Sequence, residues 1–298
     1  MMQTPLIINC VLNSFLSYTT ITLNTLTILA LRRTSHLSKT LKMLLLNLAV
    51  TDLGVGLLAQ PSYVVYLVMI IQGKTQTLTS EITLQIVYIT GKFLSYVSFF
   101  GVVALAADRF LSIYLHLRYQ ELVTYKRVLA VVVSNWLLSA ILALIFSLRP
   151  QIEFFISVPM ESVCYLATAS FYLKIYLLVR RHKTQILTQR IQVTQEQTEN
   201  EANAAKLRKS ATGTFYLYLV FVACYVPRLC VMTIIKRAGE STALVIHLRL
   251  YTFTLVFLNS SLNPLIYCWK MRHVGKAIMV ILRNLAPCRR NWSQTNLP

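Results

Sequence analysis

The residues of this chain with chemical potential are charged and amide side chains set inside oily sequence. The run "GVVALAADRF" (Gly101 to Phe110) ends with Asp108 beside Arg109. Burying such a pair is costly unless the two charges neutralise each other or are put to use. Asp52, in "NLAVTD", is a lone carboxylate that something must pair or protonate. Ser98, Asn259, Ser260 and Asn263 offer further oxygens from other apolar runs. A third set, Lys92, Glu161 and Arg228, can hold the charges of a ligand, form an internal salt-bridge network, or snorkel outward. Pro227 and Pro264 each remove a backbone donor from an otherwise helical run. None of this is catalytic machinery. There is no HExxH and no Ser/His or paired-Asp constellation, and all five histidines lie near loops or run ends, so no enzyme is expected.

The elements that must position these groups are long and apolar. The chain is 56% hydrophobic and only 13% charged, against about 25% charged in soluble domains. A membrane helix needs about 20 mainly apolar residues. Seven such runs are predicted, at 6–31, 41–70, 82–114, 127–148, 152–180, 210–236 and 245–269. The fourth and fifth are separated only by "LRPQ" (Leu148 to Gln151), where Pro150 supports a turn. The net charge of +19 would suit a nucleic-acid binder if it lay on one exposed face, but the basic residues sit in the gaps between runs. With the N-terminus outside, 20 Lys and Arg fall in the inside segments and five outside, which predicts N-outside and C-inside topology in a lipid bilayer.

The expected organisation is a short outer segment at 1–5, a seven-helix transmembrane bundle over 6–269, an amphipathic helix on the inner leaflet at 270–284, and a tail at 285–298. The stretch 184–205 is polar and reads as a helical extension with a mobile middle. Cys288, in "APCRR", suits palmitoylation and equally suits a plain free thiol. The six cysteines show no disulfide framework and no CxxC metal spacing.

Five motifs in order, "LNLAVTD", "DRF", a Trp in run four, "FVACYVP" and "NSSLNPLIY", resemble the signature set of rhodopsin-like (class A) G-protein-coupled receptors. The resemblance covers nearly the whole chain and looks nearest to the melanocortin/adenosine branch. It implies a plasma-membrane receptor for a small molecule or short peptide, coupled to a heterotrimeric G protein. By resemblance, Asp108 restrains Arg109 in the off state, and an outward swing of run six frees Arg109 to meet the G protein. Phe110 completes that motif, and Leu117 matches the loop residue that packs into the G protein. Tyr225, Pro227, Asn263, Pro264 and Tyr267 match the moving parts, and Tyr172 matches the tyrosine that meets Tyr267 in the active state. Asp52, Ser98, Asn259, Ser260 and Asn263 resemble the family's sodium site, with a cation-free hydrated network as the other reading. Gly91, Lys92, Ser95, Glu161, Arg228, Met232, Phe253 and Phe257 fall at ligand-pocket positions.

The departures from the family are informative. Phe110 stands for the usual Tyr, Tyr225 for the usual Trp, and Leu207 for an acid that would lock onto Arg109, which implies a shallow off state. Cys164 takes the place of the usual central Pro in run five. Leu84 replaces the cysteine of the family's outer disulfide. Ser62, Leu84 and Tyr88 replace the acids that grip melanocortin peptides, Met232 the asparagine that grips adenosine, Gly91 the amine-binding Asp and Phe257 the retinal lysine. A seven-helix ion channel or transporter is the competing class; it would use Asp52, Lys92, Glu161 and Arg228 as a path, but the chain shows no internal repeat.

Overall fold

The computed structural model describes residues 3–34, 37–74, 76–115, 118–188, 195–238 and 243–285. In lipid every backbone polar group must be satisfied within the segment, which leaves helices as the solution for runs of this length. The described residues form α1 (Gln3–Arg33), α2 (Lys39–Gly54), a π-helical turn (Val55–Ala59), α3 (Gln60–Ile71), α4 (Leu78–Tyr114), a short α5 (Tyr119–Leu122), α6 (Tyr125–Leu148), α7 (Pro150–Thr188), α8 (Gln195–Ala238), α9 (Ala243–Lys270) and α10 (Arg272–Leu285). Seven spans result, because α2, the π turn and α3 run on as one. Each expected apolar run has its helix, within a few residues at either end.

The helix ends follow from local chemistry. Thr77 and Ser80 form a reciprocal cap at the start of α4: the Ser80 N–H donates to Thr77 Oγ1 at 3.2 Å and the Thr77 N–H to Ser80 Oγ at 3.3 Å. Ser38 and Thr124 cap α2 and α6 one way only, each hydroxyl accepting from the N–H three residues on. Arg149 alone separates α6 from α7, and Pro150 opens α7, where its missing donor costs nothing. That one-residue connection places Glu153 in the first turn of α7, favourable for an acid.

The long, mostly buried α4 is the central post, with α2, α3, α6, α7 and α8 packed around it. Gly101 allows α2 to close on it: a Cβ there would sit 3.0 Å from Asn47 Nδ2 and 3.1 Å from Leu48 Cδ2. Apolar side chains face outward along the spans, including Phe15, Leu137, Leu166 and Leu173, as a lipid-facing surface requires. The expected amphipathic C-terminal helix corresponds to α10. It presents Met279, Val280 and Leu282 outward and tucks Val274, Ile278 and Ile281 against the bundle. Residues 189–194, the middle of the polar 184–205 stretch, and Cys288 lie outside the described residues.

Candidate functional site

Helix α4 carries charged residues near both ends, and the structure builds a different arrangement around each. At the Arg109 end, Arg109 Nε donates to Asp108 Oδ2 at 3.0 Å, and Arg109 Nη2 reaches the same oxygen. Both residues are buried. The other carboxylate oxygen, Asp108 Oδ1, accepts from the Tyr119 hydroxyl at 2.6 Å. Tyr119 Oη also lies 3.0 Å from Thr40 Oγ1 on α2. Asp108 therefore ties Arg109, the α5 turn and α2 into one clasp. Burial, and next to it the Asp108 charge, push the Tyr119 phenol up to about 12, so it stays a donor. The sequence reading had Asp108 and Arg109 but not Tyr119 or Thr40. Its loop residue, Leu117, lies outside the described residues, as does the side chain of Leu207. Phe110 turns away from the clasp and stacks with Tyr114 at 5.3 Å and Phe171 at 5.4 Å.

At mid-depth, Asn263 Nδ2 donates to Asp52 Oδ2 at 2.8 Å. Asp52 Oδ1, Ser98 Oγ and Asn259 Oδ1 are buried oxygens with no hydrogen-bond partner among the described residues. Ser260 is buried beside them. Of the five residues singled out from the sequence, the structure joins Asp52 to Asn263, sets Ser260 within reach of Asp52, and buries Ser98 and Asn259. Tyr267 and Tyr172 are both buried, and their hydroxyls have no hydrogen-bond partner among the described residues. Tyr172 stacks on Tyr218 at 5.4 Å, with Phe215 edge-on at 5.2 Å. Pro227 and Pro264 lie inside α8 and α9. Pro159 lies inside α7, five residues before Cys164, and the sequence reading passed over it.

At the opposite end, two adjoining cavities open between α4, α7, α8 and α9. The deeper is small, about 20 Å³, and Lys92, Ser95, Glu161, Tyr225, Arg228 and Met232 are among its walls. Tyr225 forms its base, stacked on Phe221 at 4.0 Å. The outer measures about 180 Å³ and shares Glu153, Arg228 and Met232 with the inner one. Tyr88, Phe154, Lys236, Arg249 and Phe253 also line it. Two of the expected pocket residues stand apart. Gly91 is buried with open space where a Cβ would be, and Phe257 packs edge-on to Tyr63 at 5.6 Å; neither lines these cavities.

Of the roles the sequence left open for these charges, Lys92 takes an internal salt bridge. Lys92 neither snorkels outward nor pairs with Glu161. Its ammonium is buried, pairs with Glu153 Oε2 at 2.5 Å and lies 4.8 Å from the Tyr88 ring centroid. Glu161 has no ion-pair or hydrogen-bond partner among the described residues, and Arg228 lies over the Phe253 ring at 4.8 Å. Glu153 was missed because an acid one turn after a helix-opening proline reads as a helix-start residue. A polar network beside α9 was also missed. Asn13 Nδ2 donates to Asn9 Oδ1 at 2.6 Å and to Thr254 Oγ1 at 2.9 Å, and the Tyr63 hydroxyl donates to the Leu250 carbonyl at 2.8 Å. The spacing of Asn9 and Asn13, one turn apart in an oily run, was the available signal.

A sequence model described as "7 transmembrane receptor (rhodopsin family)" matches residues 23–267. The chain is similar to melanocortin receptor 5 of Bos taurus, 26% identical over 200 residues, covering 63% of this chain and 58% of that receptor. It is similar to melanocortin receptor 3 of Rattus norvegicus, 23% identical over 267 residues, covering 87% and 80%. It is also similar to adenosine receptor A3 of Ovis aries, 21% identical over 296 residues, covering 89% and 86%. Against the melanocortin 5 receptors of chimpanzee, cattle and human the chain spans only 55–58% of the relative's length.

Proposed function

The chain belongs to the rhodopsin family of seven-transmembrane receptors, and we propose that it binds a small extracellular ligand and passes the signal to a heterotrimeric G protein. The observation that carries this reading is the pairing on α4. One end lines a cavity with Lys92, and the other ends in the Asp108–Arg109–Tyr119 clasp. A single rigid helix joins a place for a ligand to a charge held in check.

In this reading the Lys92 end faces outward and the Arg109 end faces the cytoplasm of a plasma-membrane protein, as the 20-to-5 bias of Lys and Arg requires. The ligand acts by binding one bundle state better than another. Movement of α8 about Pro227 opens the Arg109 end. Arg109 then exchanges Asp108 for acceptors on the G protein. Tyr172 and Tyr267, whose hydroxyls are buried without a hydrogen-bond partner among the described residues, are the groups that would meet each other in the open state. Cys288, if acylated, would add a membrane anchor after α10.

The donor set around Asp52 fits a sodium ion. Asp52 Oδ1, Ser98 Oγ and Asn259 Oδ1 are three hard, buried oxygens without a hydrogen-bond partner among the described residues, one of them charged, and Asn263 and Ser260 adjoin Asp52. A bound sodium ion would supply the countercharge that a buried carboxylate needs and link α2, α4 and α9 in the off state. The channel or transporter reading gains nothing from the structure. Lys92 is already paired, and the family is one of signalling receptors.

The test is a G-protein dissociation assay in cells, reading basal and ligand-stimulated signal, with Arg109→Ala beside the parent. Arg109→Ala should abolish coupling while the receptor still reaches the surface. Signalling of Arg109→Ala equal to the parent under every activating ligand would sink the mechanism.

A further inference from the structure

Each relative in the comparison is a receptor named for its ligand, yet the charges lining this chain's outer cavity point to a ligand chemistry of their own. Four basic side chains, Lys92, Arg228, Lys236 and Arg249, and two acids, Glu153 and Glu161, line the two joined cavities. The acids are not equally available. Glu153 is taken by Lys92. Glu161 borders only the inner space of about 20 Å³, which has room for a water molecule and little else. The 180 Å³ cavity therefore has Arg228 on its wall, and the acid that lines it, Glu153, is already neutralised.

Resting on the reading of this cavity as the ligand site, we infer that the ligand is a small organic monocarboxylate, with its carboxylate on Arg228 and an apolar body of about one aromatic ring against Tyr88, Phe154 and Phe253. Arg228 is suited to the task. Its guanidinium carbon lies over the Phe253 ring at 4.8 Å, a contact that holds the group at the cavity wall, and a guanidinium can grip a carboxylate with two N–H groups. The Phe253 ring is in turn set edge-on to Tyr88 at 6.0 Å. The size follows from the volume: an apolar cavity of about 150 Å³ takes up a benzene ring. A monoanion is favoured over a phosphate dianion because the gripping charge, Arg228, shares the inner wall with the acid Glu161, which offsets part of it. A cationic amine would meet the Arg228 charge and find Glu153 already held by Lys92.

The experiment measures binding directly on purified full-length receptor in lipid nanodiscs, by thermal shift and by titration, with no G protein present. The probes are 3-phenylpropionate, phenylacetate and benzoate, with 3-phenylpropylamine, 3-phenylpropionamide and phenyl phosphate as charge controls. The expected result is a dissociation constant at or below about 1 mM for at least one carboxylate, with the amine and amide at least about tenfold weaker. Arg228→Gln should weaken the best carboxylate by about tenfold or more and Arg228→Lys by less, whereas Arg33→Gln, at the other end of the bundle, should change nothing. Each variant is accepted only if its melting profile without probe matches the parent. Equal or tighter binding of the amine, binding unchanged in Arg228→Gln, phosphate preferred to carboxylate, or no carboxylate bound below about 1 mM would each overturn the inference. Because coupling is not read, such a failure leaves the receptor mechanism standing, and loss of Arg109-dependent signalling would leave this binding result intact.

Discussion

The side-chain amide of Asn24 donates to the backbone oxygen of Ser260 at 2.9 Å. In an unbroken helix that oxygen would accept from the N–H four residues on, but residue 264 is a proline and has none to give. Asn24, on α1, supplies across a helix interface the donor that α9 lacks. The same amide also donates to the Thr20 carbonyl at 3.0 Å, so its orientation is fixed. Proline becomes tolerable in a membrane helix when neighbours re-satisfy the freed carbonyl. Replacing Asn24 by Ala should leave the Ser260 carbonyl unsatisfied in a nonpolar interior and cost about 1–2 kcal/mol of stability. A lowered melting temperature of the purified receptor checks this, and Pro264→Ala in the same background should recover part of the loss by restoring the helical donor.

Tyr119 should act as a second restraint on Arg109. Its hydroxyl occupies Asp108 Oδ1 and thereby orients Asp108 Oδ2 toward the guanidinium. Tyr119→Phe keeps the ring and removes the donor. A loss of even about 1 kcal/mol from the off state would raise the active fraction about fivefold. Basal G-protein signal, normalised to surface expression, should rise accordingly. The phenol titrates near 12 instead of 10, so its contribution is complete below pH 10 and fades only as pH climbs through about 12. The difference in basal signal between parent and Tyr119→Phe should therefore be flat between pH 6 and pH 8.

Replacing Asp52 should remove sodium sensitivity. If sodium uses the unpartnered oxygens of Asp52, Ser98 and Asn259, then exchanging choline for sodium in the buffer should stabilise the parent by about 1 kcal/mol, or about 2–4 °C in melting temperature. Asp52→Asn is nearly isosteric but cannot supply the charge, and it should melt at the same temperature in both salts. An equal sodium shift in parent and variant would mean that the ion acts elsewhere.

Much of this was legible in the sequence, for a reason specific to membranes. The seven spans were found within a few residues because the signal is one of length and hydropathy, and lipid enforces both. Asp52, Asp108, Arg109 and Asn263 were conspicuous because charge and amide inside oily runs must be explained. Partnerships across the bundle were less accessible. Lys92 could be assigned to the pocket by its place on run three, but nothing local says that it meets Glu153 rather than Glu161. Those two acids lie about two turns apart on nearly the same face of α7, and which of them comes level with Lys92 depends on how α7 enters the bundle after a one-residue connection. Tyr119 was hidden in the same way, since a tyrosine in a loop gains its meaning only when the loop folds back under α4.

The Lys92–Glu153 pair invites a double-mutant test of how much its burial contributes. Each charge is buried and each supplies the countercharge of the other. Lys92→Met alone strands a carboxylate at the junction of α4 and α7, and Glu153→Leu alone strands an ammonium. Either should cost about 3–5 kcal/mol. Removing both charges with apolar residues of similar size, Lys92→Met with Glu153→Leu, should come within about 1 kcal/mol of the parent or exceed it, because the desolvation cost of both ions disappears together. Thermal unfolding of the four proteins in one detergent gives the coupling energy directly. If the double variant is as unstable as the sum of the two single ones, the pair is not isolated, and Glu161 or Arg228 must share its charge.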